Sequence, residues 1–231
     1  MKVFCYKMTC DTGFAPNPFY GVLTLATCKP NIRRVAKPGD WIAGFTGKPL
    51  NPKQKIGEEK LVYLAKITGK LTFAEYWQLF PEKRPIEQSV ASEPSSCSGA
   101  TVSNPKKTTK PCCGSATVSD EDNDCYRKCG DNIYEPCESA DKGYRQRAGK
   151  NHQGWTESDL KADAVLVCEE FYYFPKGNYV DIPSEIHPSL PRDFCYSRCP
   201  EELVEYIKAH CVTSETLTAS FPIPFKCKSL K

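Results

Sequence analysis

Apolar and polar positions first recur with period two. Over residues 2–8, Phe4, Tyr6 and Met8 alternate with Val3, Cys5 and Lys7, the pattern of a half-buried strand. Residues 22–27 and the apolar run 41–45 read as further strands, and residues 61–68 alternate Leu61, Tyr63, Ala65 and Ile67 as a clear one. The period then changes. Thr72-Phe-Ala-Glu75 has the form of a capping box, and Phe73, Tyr76, Trp77 and Phe80 fall at helical spacing, which predicts one amphipathic helix with an aromatic face. The expected fate of such a stripe is burial in the core. Residues 164–168 and 171–174 are apolar and aromatic and predict one long or bulged strand. Residues 200–211 predict a helix, with Pro200 near its start, Glu201 and Glu202 at the positive end, Lys208 and His210 at the negative end, and Leu203, Ile207 and Cys211 as its buried stripe.

Between these runs lie breakers. Asp11-Thr-Gly-Phe-Ala-Pro-Asn-Pro-Phe-Tyr-Gly21 carries two prolines and two glycines and reads as a loop of fixed shape. Asn31 stands where it can cap a short helical turn through Val35, and Lys37-Pro-Gly-Asp40 makes a tight turn. Residues 88–124 are rich in Ser, Pro, Thr, Lys and Gly, and Cys97-Ser-Gly-Ala-Thr-Val-Ser103 is echoed by Cys113-Gly-Ser-Ala-Thr-Val-Ser119. With few large apolar groups this stretch does not offset its own ordering entropy, so it is expected to be a mobile, disordered insertion. The organisation that follows is one α+β domain formed by residues 1–87 and 125–231 around an insertion at 88–124.

Composition narrows the class. The chain has 231 residues, 40% of them hydrophobic and 11% aromatic, enough for a core. Its 31 Lys+Arg against 28 Asp+Glu leave a net charge of +3, so affinity for nucleic acid has to come from a local patch. The N-terminus lacks an apolar stretch of signal-peptide length and no run reaches the length of a membrane span, so the expectation is an intracellular, cytoplasmic or nuclear protein with no membrane partner.

Fourteen cysteines in that setting point to metal binding, reactivity or burial rather than a disulfide framework. Cys125/Cys129 and Cys195/Cys199 share a spacing that could bend two pairs onto one zinc ion, although the gap is wider than the common one and only Gly130 adjoins a pair. No cofactor other than this possible zinc is expected. There is no Gly-x-Ser-x-Gly elbow and no His-Glu-x-x-His; Gly44-Phe-Thr-Gly47-Lys48 lacks the spacing and hydroxyl of a phosphate loop. Cys28 lies close in sequence to Lys29, Arg33 and Arg34, whose charges favour a thiolate, with plain burial as the alternative. The catalytic residues, if any, are not fixed by the sequence.

The strongest functional grouping is Lys29, Arg33, Arg34 and Lys37 beside the loop holding Phe14, Asn17, Phe19 and Tyr20. Cations for phosphate, aromatic faces for stacking and amide or carboxylate groups for a base edge are what nucleotide recognition requires. The plainer alternative is a solvated basic helix face.

The 11–21 motif, followed by Leu25-Ala-Thr-Cys-Lys-Pro30 with Ile32-Arg33, then Gly39-Asp-Trp41, Leu61-Val-Tyr63, residues 73–77, Gly130-Asp-Asn-Ile-Tyr134, Phe171-Tyr-Tyr-Phe174 and Ile182-Pro183, resembles the nucleotide modification associated domain 2 family over residues 1–87 and 125–186. The resemblance implies a link to systems that make, move or recognise modified nucleotides. It also implies, by analogy with PUA-like barrels, a curved, partly closed, mostly antiparallel sheet with a base pocket at its mouth. It adds Asp11, Asp40, Trp41, Asp131, Asn132 and Tyr134 as pocket candidates. On this reading Arg33 and Lys29 contact phosphate, Phe14 or Trp41 stacks, and Asn17, Asp11 or Asn132 reads the base edge of a nucleotide or of a modified base in nucleic acid. The alternatives are an enzyme on nucleotides, with Asp11, Asp40 or Asp131 as acid/base and Cys28 as nucleophile, and a zinc-stabilised scaffold.

Overall fold

A computed structural model describes residues 1–85, 130–147 and 156–219. The 88–124 insertion with its repeat, charge runs and three cysteines, together with Cys125 and Cys129, lies outside the described residues.

The first strand, β1 (Val3–Met8), pairs in parallel with β3 (Trp41–Thr46), and β3 pairs antiparallel with β4 (Leu61–Lys66). Adding β9 (Glu170–Tyr173), β10 (Cys195–Tyr196) and β11 (Leu217–Thr218) gives a six-stranded sheet in the order β10-β1-β3-β4-β9-β11. A second sheet has the order β2-β8-β5, from Leu23–Leu25, Val165–Cys168 and Gly69–Leu71. A small hairpin, β6 (Tyr134–Pro136) with β7 (Tyr144–Gln146), completes the strands. Every ladder but β1–β3 among the described residues is antiparallel, as the family resemblance implied.

The strand expected at 61–68 ends at Lys66 and is followed by a separate strand, β5, from Gly69, and the long or bulged strand expected over 164–174 is two strands, β8 and β9. β4 pairs with β9 in the large sheet, while β5 pairs with β8 in the small one. The β4–β5 and β8–β9 segments thus bend together, and the bent ribbon carries the sheet from one layer into the other. Both sheets end in open edges among the described residues, so the expected barrel closure is not observed.

That layering changes the reading of β1. Phe4, Tyr6 and Met8 face a core shared with Leu23, Leu25 and Leu166 of the small sheet, whereas Val3 and Cys5 face Trp41, Phe45, Leu203 and Ile207. The strand is buried on both faces because a helix, α4 (Pro200–His210), covers the second one.

Three other short helices among the described residues serve the layers. α1 (Pro30–Val35) begins on Lys29 in the left-handed conformation, with Pro30 in the first turn. Asn31 is therefore inside the helix rather than its cap, and it reaches Asp193 Oδ2 at 3.1 Å. α2 (Phe73–Leu79) has the capping box that Thr72 and Glu75 predict, and Phe73 and Tyr76 are buried. A 3-10 turn, Pro81–Lys83, follows it, and α3 is Thr156–Asp159.

Candidate functional site

Cys28 (φ 59°) and Lys29 (φ 41°) are consecutive non-glycine residues in the left-handed region, a conformation that costs about 1–3 kcal/mol per residue and has to be held by its surroundings. Arg33, one helical turn on, does the holding. Its Nε donates to the Cys28 carbonyl at 2.8 Å, Nη1 to the carbonyls of Ala162 (2.9 Å) and Ala164 (2.5 Å), and Nη2 to that of Asp159 at 2.6 Å. Asp159 adds its carboxylate on the Cys28 N–H at 2.8 Å, and the Phe73 ring lies 5.5 Å under the guanidinium. Burial lowers the Arg33 pKa, with the Asp159 charge working against that shift. Four of five guanidinium N–H directions end on backbone carbonyls in a fully buried site, so the cation expected on phosphate braces the turn instead. Lys29 emerges from this turn with its ammonium 4.6 Å from the centre of the Tyr6 ring and a hydrogen bond to the Asp193 carbonyl at 3.3 Å.

Tyr6 belongs to a tyrosine cluster on the same face of the sheet. Its hydroxyl and that of Tyr63 are 2.9 Å apart. Gly44 makes this contact possible, because a Cβ there would come within 2.3 Å of the Tyr63 ring and 2.5 Å of the Met8 sulfur. Next along the face, the Tyr173 hydroxyl donates to Asp11 Oδ1 and the Tyr179 hydroxyl to Asp11 Oδ2 at 2.7 Å. Burial pushes the Asp11 carboxyl above its ordinary range, against the pull of both tyrosines and of Lys176. Burial likewise raises Tyr6, Tyr63, Tyr173 and Tyr179, so all four phenols remain protonated donors. The Tyr179 ring also lines a cavity of about 240 Å³ with Phe174, Val180, Cys211, Thr213 and Thr216. That is below the roughly 300–1,000 Å³ of a site for a drug-sized molecule.

Asn17 and Asp131 meet elsewhere, around Lys83, which sequence reasoning missed. The Lys83 ammonium is fully buried and donates to Asn17 Oδ1 (2.9 Å), the Asn17 carbonyl (3.2 Å), the Val22 carbonyl (2.9 Å) and Thr24 Oγ1 (2.9 Å). The Thr24 hydroxyl donates to Asp131 at 2.9 Å, and the Tyr76 hydroxyl donates to it at 2.6 Å. Burial lowers Lys83 to about 8 and raises Asp131. Gly130 lets the two segments touch, since a Cβ there would lie 1.8 Å from the Lys83 carbonyl oxygen. The sequence signal for Lys83 was slight: one lysine in the polar stretch just after a strongly amphipathic helix.

The remaining candidates are dispersed. Asn132 donates to the carbonyls of Tyr76 (2.9 Å) and Phe80 (3.0 Å), closing the end of α2, while its own Oδ1 is buried without a hydrogen-bond partner. Tyr134 donates to Asp159 Oδ2 at 2.8 Å, behind the Arg33 clamp. Phe14 packs in the core beside Phe73 and Tyr76. Asp40 accepts the N–H groups of Lys2 (3.1 Å) and Lys37 (3.2 Å) and so shapes its turn. Trp41 points into the α4 side of the sheet, with the ammonium groups of Lys208 and Lys66 at 5.1 and 6.0 Å. Of the ten candidates, Asp11 and Lys29 stand at the tyrosine face.

Among the described residues no group of three or more His, Cys, Asp or Glu side chains converges as metal ligands would. Cys195 of the expected zinc set lies opposite Cys5 on β1, and Cys199 precedes α4. No described helix is long and apolar enough to cross a membrane.

No curated protein and no solved structure matches the chain. A family model does, the nucleotide modification associated domain 2, over residues 1–110 and 117–214. The match extends past the motif blocks quoted above, into part of the 88–124 stretch and through α4. With the 11–21 loop, the strained Cys28–Lys29 turn and the Gly130–Tyr134 segment all inside the match, the chain belongs to the nucleotide modification associated domain 2 family.

Proposed function

We propose that the protein binds the base of a nucleotide, free or within nucleic acid, at the tyrosine face centred on Asp11. The observation that carries this reading is the state of the Asp11 carboxylate. It is largely withdrawn from water, has two tyrosine hydroxyls on it, and makes no ion pair with any described residue. A carboxylate has about four acceptor directions, so two remain for a ligand bearing N–H groups. Exocyclic amines and ring N–H groups of a base are such donors, and the half-buried Tyr179 ring offers a flat face for stacking. Lys29, at the edge of the same face, supplies positive charge for a phosphate.

Fluorescence titration with nucleotides and with oligonucleotides carrying modified bases tests the reading. Asp11→Asn and Tyr179→Phe should each weaken binding by about tenfold, about 1.4 kcal/mol for one lost charged hydrogen bond. Protonation removes acceptor capacity, and the Asp11 pKa lies above the usual carboxylate value. Affinity should therefore fall on acidification, from a pH higher than an ordinary aspartate would set, and Asp11→Asn should remove that dependence. Equal affinities for wild type and Asp11→Asn at every pH would reject the site.

A second reading, an enzyme acting on nucleotides, draws on the strained Cys28 backbone between Arg33 and Tyr6. Strained non-glycine residues concentrate where reacting groups are positioned. Incubation with nucleotides followed by a search for any product lost in Cys28→Ser separates it from simple binding.

A further inference from the structure

We propose that Cys5 and Cys195 are a redox-modification site that closes to an intramolecular disulfide when the protein meets a peroxide or a low-molecular-weight disulfide. The inference stands on the register of the sheet and is independent of what binds at Asp11. β10 pairs antiparallel with β1, with Cys195 directly opposite Cys5 and Tyr196 opposite Phe4, and the Ser197 N–H on the Val3 carbonyl at 2.9 Å fixes that register. Residues directly opposed in antiparallel strands project from the same face with Cα atoms about 4.5–5.5 Å apart, inside the roughly 4.4–6.8 Å that a disulfide spans. Cys195 packs against the same apolar cluster that contains Cys5, on the α4 side of the sheet, so the register leaves the two side chains within reach of one another and closure requires little movement of the backbone.

The pair is asymmetric. Cys5 is fully buried, and the contact with Cys195 together with burial pushes its thiol up. Cys195 is partly exposed, and the same contact, helped by the Arg198 charge, brings its thiol down. Cys195 is thus the sulfur that meets the oxidant and Cys5 the one that resolves it. With a peroxide, the Cys195 thiolate attacks one oxygen, the O–O bond breaks, and the leaving oxygen departs as water, leaving a sulfenic acid. The Cys5 sulfur then attacks the Cys195 sulfur, the S–S bond forms, and the sulfenic hydroxyl leaves with the Cys5 proton as a second water. Two thiols lose two electrons and the peroxide gains them. With a small disulfide, Cys195 forms the mixed disulfide and Cys5 displaces the second small thiol.

The consequence reaches the tyrosine face. Asp193, two residues before Cys195, accepts Lys29 through its carbonyl and Asn31 through its carboxylate, and Phe194 packs on Phe4 at 5.7 Å. β10 is an edge strand of two residues, so a covalent bond to β1 fastens the segment that positions Lys29. Tyr6, the ring under that ammonium, is the residue after Cys5.

The test uses the full reduced chain, treated with increasing hydrogen peroxide or oxidised glutathione, then alkylated, digested and mapped by mass spectrometry. A Cys5–Cys195 linked peptide, about 2 Da lighter than the two thiol peptides together, should appear at low oxidant and disappear with dithiothreitol. In Cys195→Ser, a replacement at the partly exposed partner, Cys5 should stay alkylatable under the same treatment. The proposal is overturned if both cysteines remain alkylated while other cysteines of the chain oxidise, or if Cys195 bonds to a different cysteine or retains glutathione.

Discussion

At Arg33 the same side chain serves two different readings, and burial decides between them. Near the surface, a guanidinium beside Lys29, Arg34 and Lys37 is a phosphate group's natural partner. Buried, it brings five donors in a fixed plane, and here four of its contacts are carbonyls from residues 28, 159, 162 and 164. Lysine keeps the charge but has a single ammonium on a flexible stem and cannot span those carbonyls. Arg33→Lys should therefore destabilise the fold by roughly 2–4 kcal/mol, measured by urea denaturation, with several carbonyls left unpaired. A variant as stable as wild type would mean the clamp is not what holds the Cys28–Lys29 turn. Asp11 and Lys29 differ from Arg33 because each keeps one side toward the tyrosine face.

Among the elements, the aromatic face of α2 and the capping box at its start were legible because both depend on neighbours within one turn. The β4–β5 and β8–β9 breaks were not, since nothing local distinguishes a strand that stays in one sheet from a strand that bends into another. The tyrosine face depends on an equally non-local fit. Gly44 on β3 leaves the space that the Tyr63 ring of β4 fills, and that placement brings the hydroxyl to Tyr6 on β1. Gly44→Ala should force the ring aside and cost roughly 1–3 kcal/mol of stability through overpacking. Thermal unfolding with tyrosine fluorescence checks both the loss and the altered cluster. An unchanged midpoint and spectrum would show that the ring yields freely.

Over the whole molecule, the buried polar network around Lys83 joins parts of the chain that lie on either side of residues 88–124. Thr24 is its link, accepting a hydrogen bond from Lys83 and donating one to Asp131, 107 positions away. Thr24→Val keeps the shape of the side chain and removes the hydroxyl, which leaves a buried ammonium and a buried carboxylate each short of a partner. The expected cost is roughly 2–4 kcal/mol in chemical denaturation. It should appear as a lower midpoint with the slope unchanged, because the native fold is kept. A near-neutral result would make the network dispensable to the joining of the two halves.

The sequence by itself determined what short-range physics controls: the longer strands, the capping box and aromatic face of α2, the charge-matched ends of α4, and membership of a family through contiguous motifs. It grouped Asp11 and Lys29 with residues that have other tasks. Only the tertiary structure decided which of the chemistry-bearing side chains are buried as braces of the backbone, which keep an exposed side, and which cysteine lies opposite which. The reason is that desolvation and strand register are set by partners more than a hundred residues away, as between Arg33 and Ala164, Thr24 and Asp131, or Cys5 and Cys195. A change of one residue in register or a few ångströms in depth reverses a side chain's role without altering any local pattern.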